Sequence, residues 1–243
     1  MEKLGIEVRG VRKRLGLNQA LEGVDACFEP GLLHGVIGPD GAGKTTLLRT
    51  LIGLLKPDSG SIVFSAAGER VSFADVRPSM AYMPQQQSLY PDLSVAEHLE
   101  FFRDLYGLPE RVFTPRRAEL LRITRLERFT ERRAAQLSGG MYKKLGLMCA
   151  LLQSPSVLLL DEPTNGVDPI SRREFWYLVY RLSAQGILVV MTTAYMDEAE
   201  RCGRVHLLEE GRTLAEGEPR SVLAREGASS FEELFLRRAG EAR

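Results

Sequence analysis

Apolar positions along this chain fall into short runs separated by turn residues. Residues 6–11 and 21–28 read as strands of an N-terminal sheet. Leu33–Ile37 is another short apolar run, and it stops at a glycine-rich segment. Residues 44–55 show helical spacing, which Pro57 and Gly60 should end. Residues 62–64 and Met80–Met83 read as further strands. From 94 to 153 the pattern is helical. Strand character returns at Val157–Asp161. A helix at 171–183, a strand at 187–193 and a short helix at 196–201 follow. Residues 205–208 and 212–215 form a hairpin through 209–211, and 230–238 reads as a final amphipathic helix. Alternating strands and helices predict an α/β fold, with a mostly parallel sheet covered on both faces.

The chain has 243 residues, enough to bury a core without disulfides or metals. Lysine plus arginine, at 32, equals aspartate plus glutamate, at 32. That balance removes the basic footprint expected of a nucleic-acid-binding protein, so no nucleic-acid partner is expected. Cys27, Cys149 and Cys202 are widely separated, which argues against a zinc site or a disulfide framework. Each reads as a small buried apolar side chain in a reducing compartment. No run approaches the roughly 18 apolar residues of a membrane span. The arginines between Arg103 and Arg133 interleave with Glu110, Glu119, Glu127 and Glu131, so they read as a solvated helical face.

Three segments carry chemistry. Gly38-Pro39-Asp40-Gly41-Ala42-Gly43-Lys44-Thr45-Thr46 fits the P-loop pattern G-x-x-x-x-G-K-[ST], between a predicted strand and a predicted helix. Its glycines let backbone N–H groups turn inward around phosphate oxygens, and the helix N-terminus adds partial positive charge. Lys44 should reach the β- and γ-phosphates of ATP, and the Thr45 hydroxyl should ligate Mg2+. Val157–Asp161 is a buried strand that delivers Asp161 to the metal, followed by Glu162 as general base for the attacking water. Taken alone, this second segment is weak evidence, since a strand before the turn at Pro163 gives the same pattern, but downstream of a P-loop it becomes strong. Leu137-Ser138-Gly139-Gly140-Met141 leads into a helix that Ser138 can cap, its glycines leaving N–H groups open to an anion.

P-loop, Ser-Gly-Gly element and Asp-Glu strand, each at its place along the chain, resemble the ATP-binding cassette (ABC) transporter family. The resemblance runs over residues 4–236, with a helical subdomain at about 88–153 and a tail at 237–243. It implies a P-loop NTPase (RecA-like) core with an N-terminal antiparallel β subdomain and an inserted helical subdomain. It also implies that Ser138, Gly139 and Gly140 complete the site of a second ABC ATPase in a head-to-tail dimer. The usual glutamine at the end of that element is Met141 here, a variant familiar among drug exporters. Ala81-Tyr82-Met83-Pro84-Gln85 resembles the Q-loop, which places Gln85 near Mg2+ and the attacking water. Gln86 and Gln87 follow, and Pro84 favours Gln85 for that role. Asn165-Gly166-Val167-Asp168-Pro169 resembles the D-loop, with Asp168 at the dimer interface. The segment 89–97 and the C-terminal helix are similar to the multidrug-exporter branch.

Two departures stand out. Thr192-Thr193-Ala194-Tyr195 resembles the switch region, but Ala194 stands where the family usually has a histidine that contacts the γ-phosphate. Losing one preorganised contact of that kind costs about 10²–10³ in rate. Leu15 stands where the family often has an aromatic to stack on adenine, and the nearby Phe28 reads as core. Both departures resemble one half of tandem or paired exporter ATPases, in which one of two composite sites is weakened, and the phrases at residues 38–46 and 166–174 resemble the N-terminal half of such tandem proteins. The resemblance implies a transporter subunit peripheral to the inner membrane face, driving a separate membrane permease. The alternative is a largely non-hydrolysing, nucleotide-gated partner of an active ATPase. His34, His98 and His206 match no family position and read as packing or surface, and Trp176 reads as a core or interface anchor.

Overall fold

A computed structural model describes residues 4–86 and 89–241. Gln87, and Ser88 at the expected start of the helical subdomain, lie outside them. Two sheets and nine helices are described. The strands are β1 (Leu4–Leu15), β2 (Asn18–Phe28), β3 (Leu33–Ile37), β4 (Ser59–Ala66), β5 (Glu69–Val71), β6 (Met80–Met83), β7 (Val157–Asp161), β8 (Leu188–Thr193), β9 (Arg204–Glu209) and β10 (Arg212–Gly217). The helices are α1 (Lys44–Leu51), α2 (Phe73–Val76), α3 (Val95–Leu105), α4 (Glu110–Thr124), α5 (Gly139–Leu151), α6 (Pro169–Ala184), α7 (Met196–Ala199), α8 (Pro219–Glu226) and α9 (Phe231–Glu241). One sheet is antiparallel, in the order β2-β1-β4-β5. The other runs β10-β9-β3-β8-β7-β6 and is parallel except for the edge strand β10.

The period-two rule of strands divides the core. Val157 and Leu159 of β7, with Leu188 and Val190 of β8, face a cluster formed with the antiparallel sheet and α1. Leu158 and Leu160, with Val189 and Met191, face a cluster with α5 and α6. Both faces of the parallel sheet are therefore covered, as the long apolar runs require.

Local signals account for most element ends. Ser94 and Glu97 form a reciprocal capping box at the start of α3, with Ser94 N donating to Glu97 Oε2 at 2.7 Å and Glu97 N to Ser94 Oγ at 3.2 Å. The Asp168 side chain accepts from the N–H groups of Ile170 and Ser171, and Pro169 occupies the first turn of α6.

The helix expected over 44–55 ends at Leu51 instead. Gly53 takes φ +77°, and the N–H of Leu54 closes back on the Arg49 carbonyl at 2.9 Å. The stop is this left-handed glycine rather than Pro57. β5, α2 and α8 are additional to the sequence expectation. α9 runs past residue 236 into the expected tail. Cys149 and Cys202 are buried, but Cys27 is only half-buried. Trp176 and Phe28 are core, and His34, His98 and His206 are all buried. No helix of the described residues is long and apolar enough to cross a membrane.

Candidate functional site

β3 ends at Ile37, and the chain turns through residues 38–43 into α1. Two positions in this turn require glycine. A Cβ on Gly38 would lie 2.0 Å from the Leu208 carbonyl oxygen. Gly43 has φ +102°, and a Cβ there would lie 2.4 Å from the Ala20 carbonyl oxygen. The loop is thus wedged between β9 and β2, which fixes its path. Lys44, only 4% exposed, donates to the carbonyls of Gly38 at 2.8 Å and Pro39 at 3.0 Å. Its ammonium also lies 3.5 Å from Glu162 Oε1.

β7 brings the two carboxylates to the same place. Asp161 is wholly buried, and a buried carboxylate needs donors. Thr45 Oγ1 and Thr192 Oγ1 donate to its Oδ1 at 3.0 and 2.8 Å, and Tyr82 OH donates to Oδ2 at 3.0 Å. Burial, and next the neighbouring Asp161 charge, push the Tyr82 phenol up to about 12, so it stays a donor.

Glu162 has φ +44°, a left-handed conformation costly for a side chain of this kind. Its N–H donates to Thr192 Oγ1 at 2.9 Å. Its Oε2 accepts from Gln85 Nε2 at 2.7 Å and from Asn165 Nδ2 at 3.2 Å. Gln85 is held in turn by Lys143 of α5, whose ammonium donates to the Gln85 carbonyl at 3.2 Å. Burial lowers the Lys143 pKa, opposed by Asp161 and Glu162.

Lys44, Thr45, Gln85, Glu162 and Asn165 of this set border a cavity of about 410 Å³. The P-loop residues 40–46 line it together with Leu15, Asn18 and Ala20 and with Gln85, Glu162 and Asn165. Leu15 therefore borders the same cavity as the phosphate loop, without an aromatic face. A second hollow of about 210 Å³ adjoins it, lined by Asp40, Glu162, Asn165, Ala194 and Tyr195 among others. Here Ala194 leaves space beside Glu162. The Tyr195 hydroxyl donates to Asn165 Oδ1 at 3.3 Å, linking the switch segment to Glu162 through Asn165. Buried Glu198 anchors that segment from below. Thr193 and Thr164 hydroxyls donate to its Oε2 at 2.6 and 3.1 Å, and Arg172 and Trp176 donate to its Oε1 at 2.6 and 3.0 Å.

Of the catalytic, phosphate and metal residues expected from sequence, all but Ser138, Gly139 and Gly140 line this cavity, belong to its loop or, like Asp161, bond directly to its lining. Ser138, Gly139 and Gly140 do not line it. Ser138 caps α5 by accepting from Met141 N at 3.3 Å. Gly140 packs so tightly on α6 that a Cβ would lie 2.3 Å from that of Ser171. Sequence reading missed the supporting roles of Tyr82, Thr192, Asn165 and Lys143. The readable signal was a polar side chain near the C-terminal end of an apolar strand: Tyr82 pairs in register with Leu159, and Thr192 with Asp161.

The donor set fits a small hard cation beside a phosphate chain. Thr45 and Asp161 offer oxygen only, and no cluster of three or more metal-type side chains occurs among the described residues. One carboxylate and one hydroxyl, completed by substrate oxygens and water, is how Mg2+ is commonly held.

A family model described as ABC transporter matches residues 21–165. The chain is 45% identical over 228 residues to the probable multidrug ABC transporter ATP-binding protein YbhF of Escherichia coli (strain K12). That match covers 93% of this chain but 39% of the relative, so the chain spans well under half of that protein's length. It is 38% identical over 233 residues to the Nod factor export ATP-binding protein I of Burkholderia orbicola (strain AU 1054), covering 95% of this chain and 76% of that one. A solved ATP-binding subunit of an ABC transporter superposes with a TM-score of 0.81 at 32% identity, covering 96% of this chain and 98% of that one.

Proposed function

Since this chain belongs to the ABC transporter family, we propose that it binds and hydrolyses ATP to drive an exporter whose membrane permease is a separate part. The observation that carries the reading is that Lys44, Thr45 and Glu162 border one cavity with the glycine loop, and that Asp161 accepts from Thr45 directly behind it. The Lys44 ammonium, now on two carbonyls and near Glu162, is placed to transfer to phosphate oxygens. Thr45 and Asp161 would hold Mg2+, which when bound neutralises charge on the phosphates. Glu162 is the base: Gln85 and Asn165 occupy Oε2, and Oε1, which the Lys44 ammonium now faces at 3.5 Å, accepts a proton from water once Lys44 moves to phosphate. These intact groups favour hydrolysis over a purely nucleotide-gated role.

Ser138, Gly139 and Gly140 lie outside their own chain's cavity. We read them as the lid of a second ATPase's site in a head-to-tail dimer, with ATP closing the pair and hydrolysis opening it. The hollow beside Ala194 favours a partner ATPase that carries a switch histidine. Peripheral attachment to the inner membrane face follows from the permease. The names of the exporter relatives support the export direction.

The test is equilibrium ATP binding and single-turnover hydrolysis with Mg2+, using Lys44→Ala as the control. ATP binding that Lys44→Ala abolishes, with cleavage dependent on Glu162, supports the reading. No ATP binding by the natural chain overturns it. Sustained rapid turnover by the chain alone overturns the requirement for a different partner.

A further inference from the structure

The arginine-rich stretch 103–133 is largely a solvated face, and two of its exposed side chains lie where a neighbouring helix adds further cations. Arg122 and Arg125, at the C-terminal end of α4, border a hollow of about 480 Å³. Lys144 of α5 and Arg173 and Arg181 of α6 complete the ring. One carboxylate, Glu174, faces these five cations, which leaves a net of four positive charges. Glu174 is already engaged. It accepts from Lys144 and from Arg125 Nη1, the latter at 3.0 Å, and these contacts, Lys144 first, hold its carboxyl below the usual range. Arg122, Arg173 and Arg181 have no ion pair or side-chain hydrogen bond among the described residues.

This concentration of charge is local, because the whole chain is balanced at 32 basic and 32 acidic residues. A cleft lined by one sign focuses its field and draws counter-ions. Guanidinium forks match phosphate oxygens in pairs, and several such forks converging on one space favour a multivalent anion over chloride. The hollow is larger than the 410 Å³ cavity at the P-loop, so a group of triphosphate size fits. Tyr177, 64% exposed, supplies an aromatic face at its rim.

We propose that this hollow is a second anion site, separate from the nucleotide site, that takes a compound bearing several phosphate groups. Such an anion joins α4 and α5 to α6 and neutralises the charge that Glu174 leaves uncompensated. The proposal stands whether or not the P-loop reading does.

The experiment uses the full chain carrying Lys44→Ala, which removes the P-loop ammonium and leaves the hollow intact. Inorganic tripolyphosphate is titrated by calorimetry without Mg2+, and vesicles of cardiolipin, whose headgroup carries two phosphates, are tested by co-sedimentation. One triphosphate should bind per chain. Adding Arg173→Gln and Arg181→Gln should weaken binding about tenfold or more, as loss of charged hydrogen bonds does. Arg122→Gln, on the facing helix, should weaken it independently, which separates ligand contact from misfolding of α6. The exposed control pair Arg111→Gln and Arg220→Gln should leave it unchanged. Triphosphate binding without vesicle binding assigns a free phosphate compound. Vesicle binding lost in the same arginine variants assigns a lipid headgroup. Binding of neither probe, or binding indifferent to Arg122, Arg173 and Arg181, overturns the site.

Discussion

On the phosphate side of the nucleotide site, backbone and buried side chains leave little freedom. Gly38 and Gly43 are wedged against neighbouring carbonyls, and Asp161 has three donors at 2.8 to 3.0 Å. On the switch side, Ala194 leaves a hollow of about 210 Å³, and the link to Glu162 runs through Asn165 from the partly exposed Tyr195. Glu162 belongs to both sides: Lys44 faces one oxygen, and Gln85 and Asn165 hold the other. On the function proposed here, binding and cleavage would be separable: phosphate capture would rest on the rigid wall and water activation on the looser one.

The strongest test of that separation is Glu162→Gln. It should lower single-turnover hydrolysis by about 10²–10⁴, the usual contribution of a general base, while equilibrium ATP binding stays near the natural value. Equal losses in both measurements would merge the two walls into one unit. Next comes Ala194→His, which fills the switch-side hollow. It should raise single-turnover cleavage by about 10²–10³ if one preorganised contact is what that wall lacks. An unchanged rate means the Tyr195–Asn165 link already supplies that contact's effect.

A third prediction concerns the strand that feeds the phosphate loop. His34 on β3 lies 3.1 Å, Nδ1 to Nε2, from His206 on β9, and its Nε2 is 3.0 Å from the Glu29 carbonyl. Burial, then the His206 charge, push His34 from 6.5 down to about 3, with Arg204 acting the same way and Glu216 opposing. Burial likewise lowers His206. The unfolded chain therefore takes up protons below 6.5 that the folded chain refuses, so stability is full above that value and falls as pH drops towards 3. His34 alone should cost about 2 kcal/mol by about pH 5, at ~1.4 kcal/mol per pH unit. Denaturant melts across this window should show the loss, and His34→Gln should flatten it. The rigid wall would then be the acid-sensitive one.

The smallest expected effect is that of Tyr195→Phe. Losing its hydroxyl should slow single-turnover cleavage by about tenfold or less, the worth of one partly exposed hydrogen bond, without altering ATP binding. No change in rate would make Asn165 sufficient by itself.

Much of the site could be read along the chain because its chemistry is local. The P-loop needs consecutive backbone N–H groups, and the two carboxylates need only a buried strand and its end. Those features are contiguous, so Lys44, Thr45, Asp161 and Glu162 were visible as residues. Element types were equally legible where period and caps agreed, as with Ser94 and Glu97 on α3 or Asp168 and Pro169 on α6. The end of α1 was less so, because Gly53 stops it through a left-handed turn that competes unseen with the later Pro57.

Other features depend on residues far apart in sequence. Tyr82, Asp161 and Thr192 meet only because β6, β7 and β8 lie side by side in that order. The hydroxyl of Tyr195 reaches Glu162 only through the loop that follows β7. The arginine hollow is built from three helices, and interleaved glutamates mask its charge in the linear sequence. The set of reactive groups was written in the residue order alone, since their chemistry rides on adjacent residues and backbone conformation. Which groups satisfy one another was left to the folded chain, because strand order and helix packing set the distances on which hydrogen bonds and charge interactions depend.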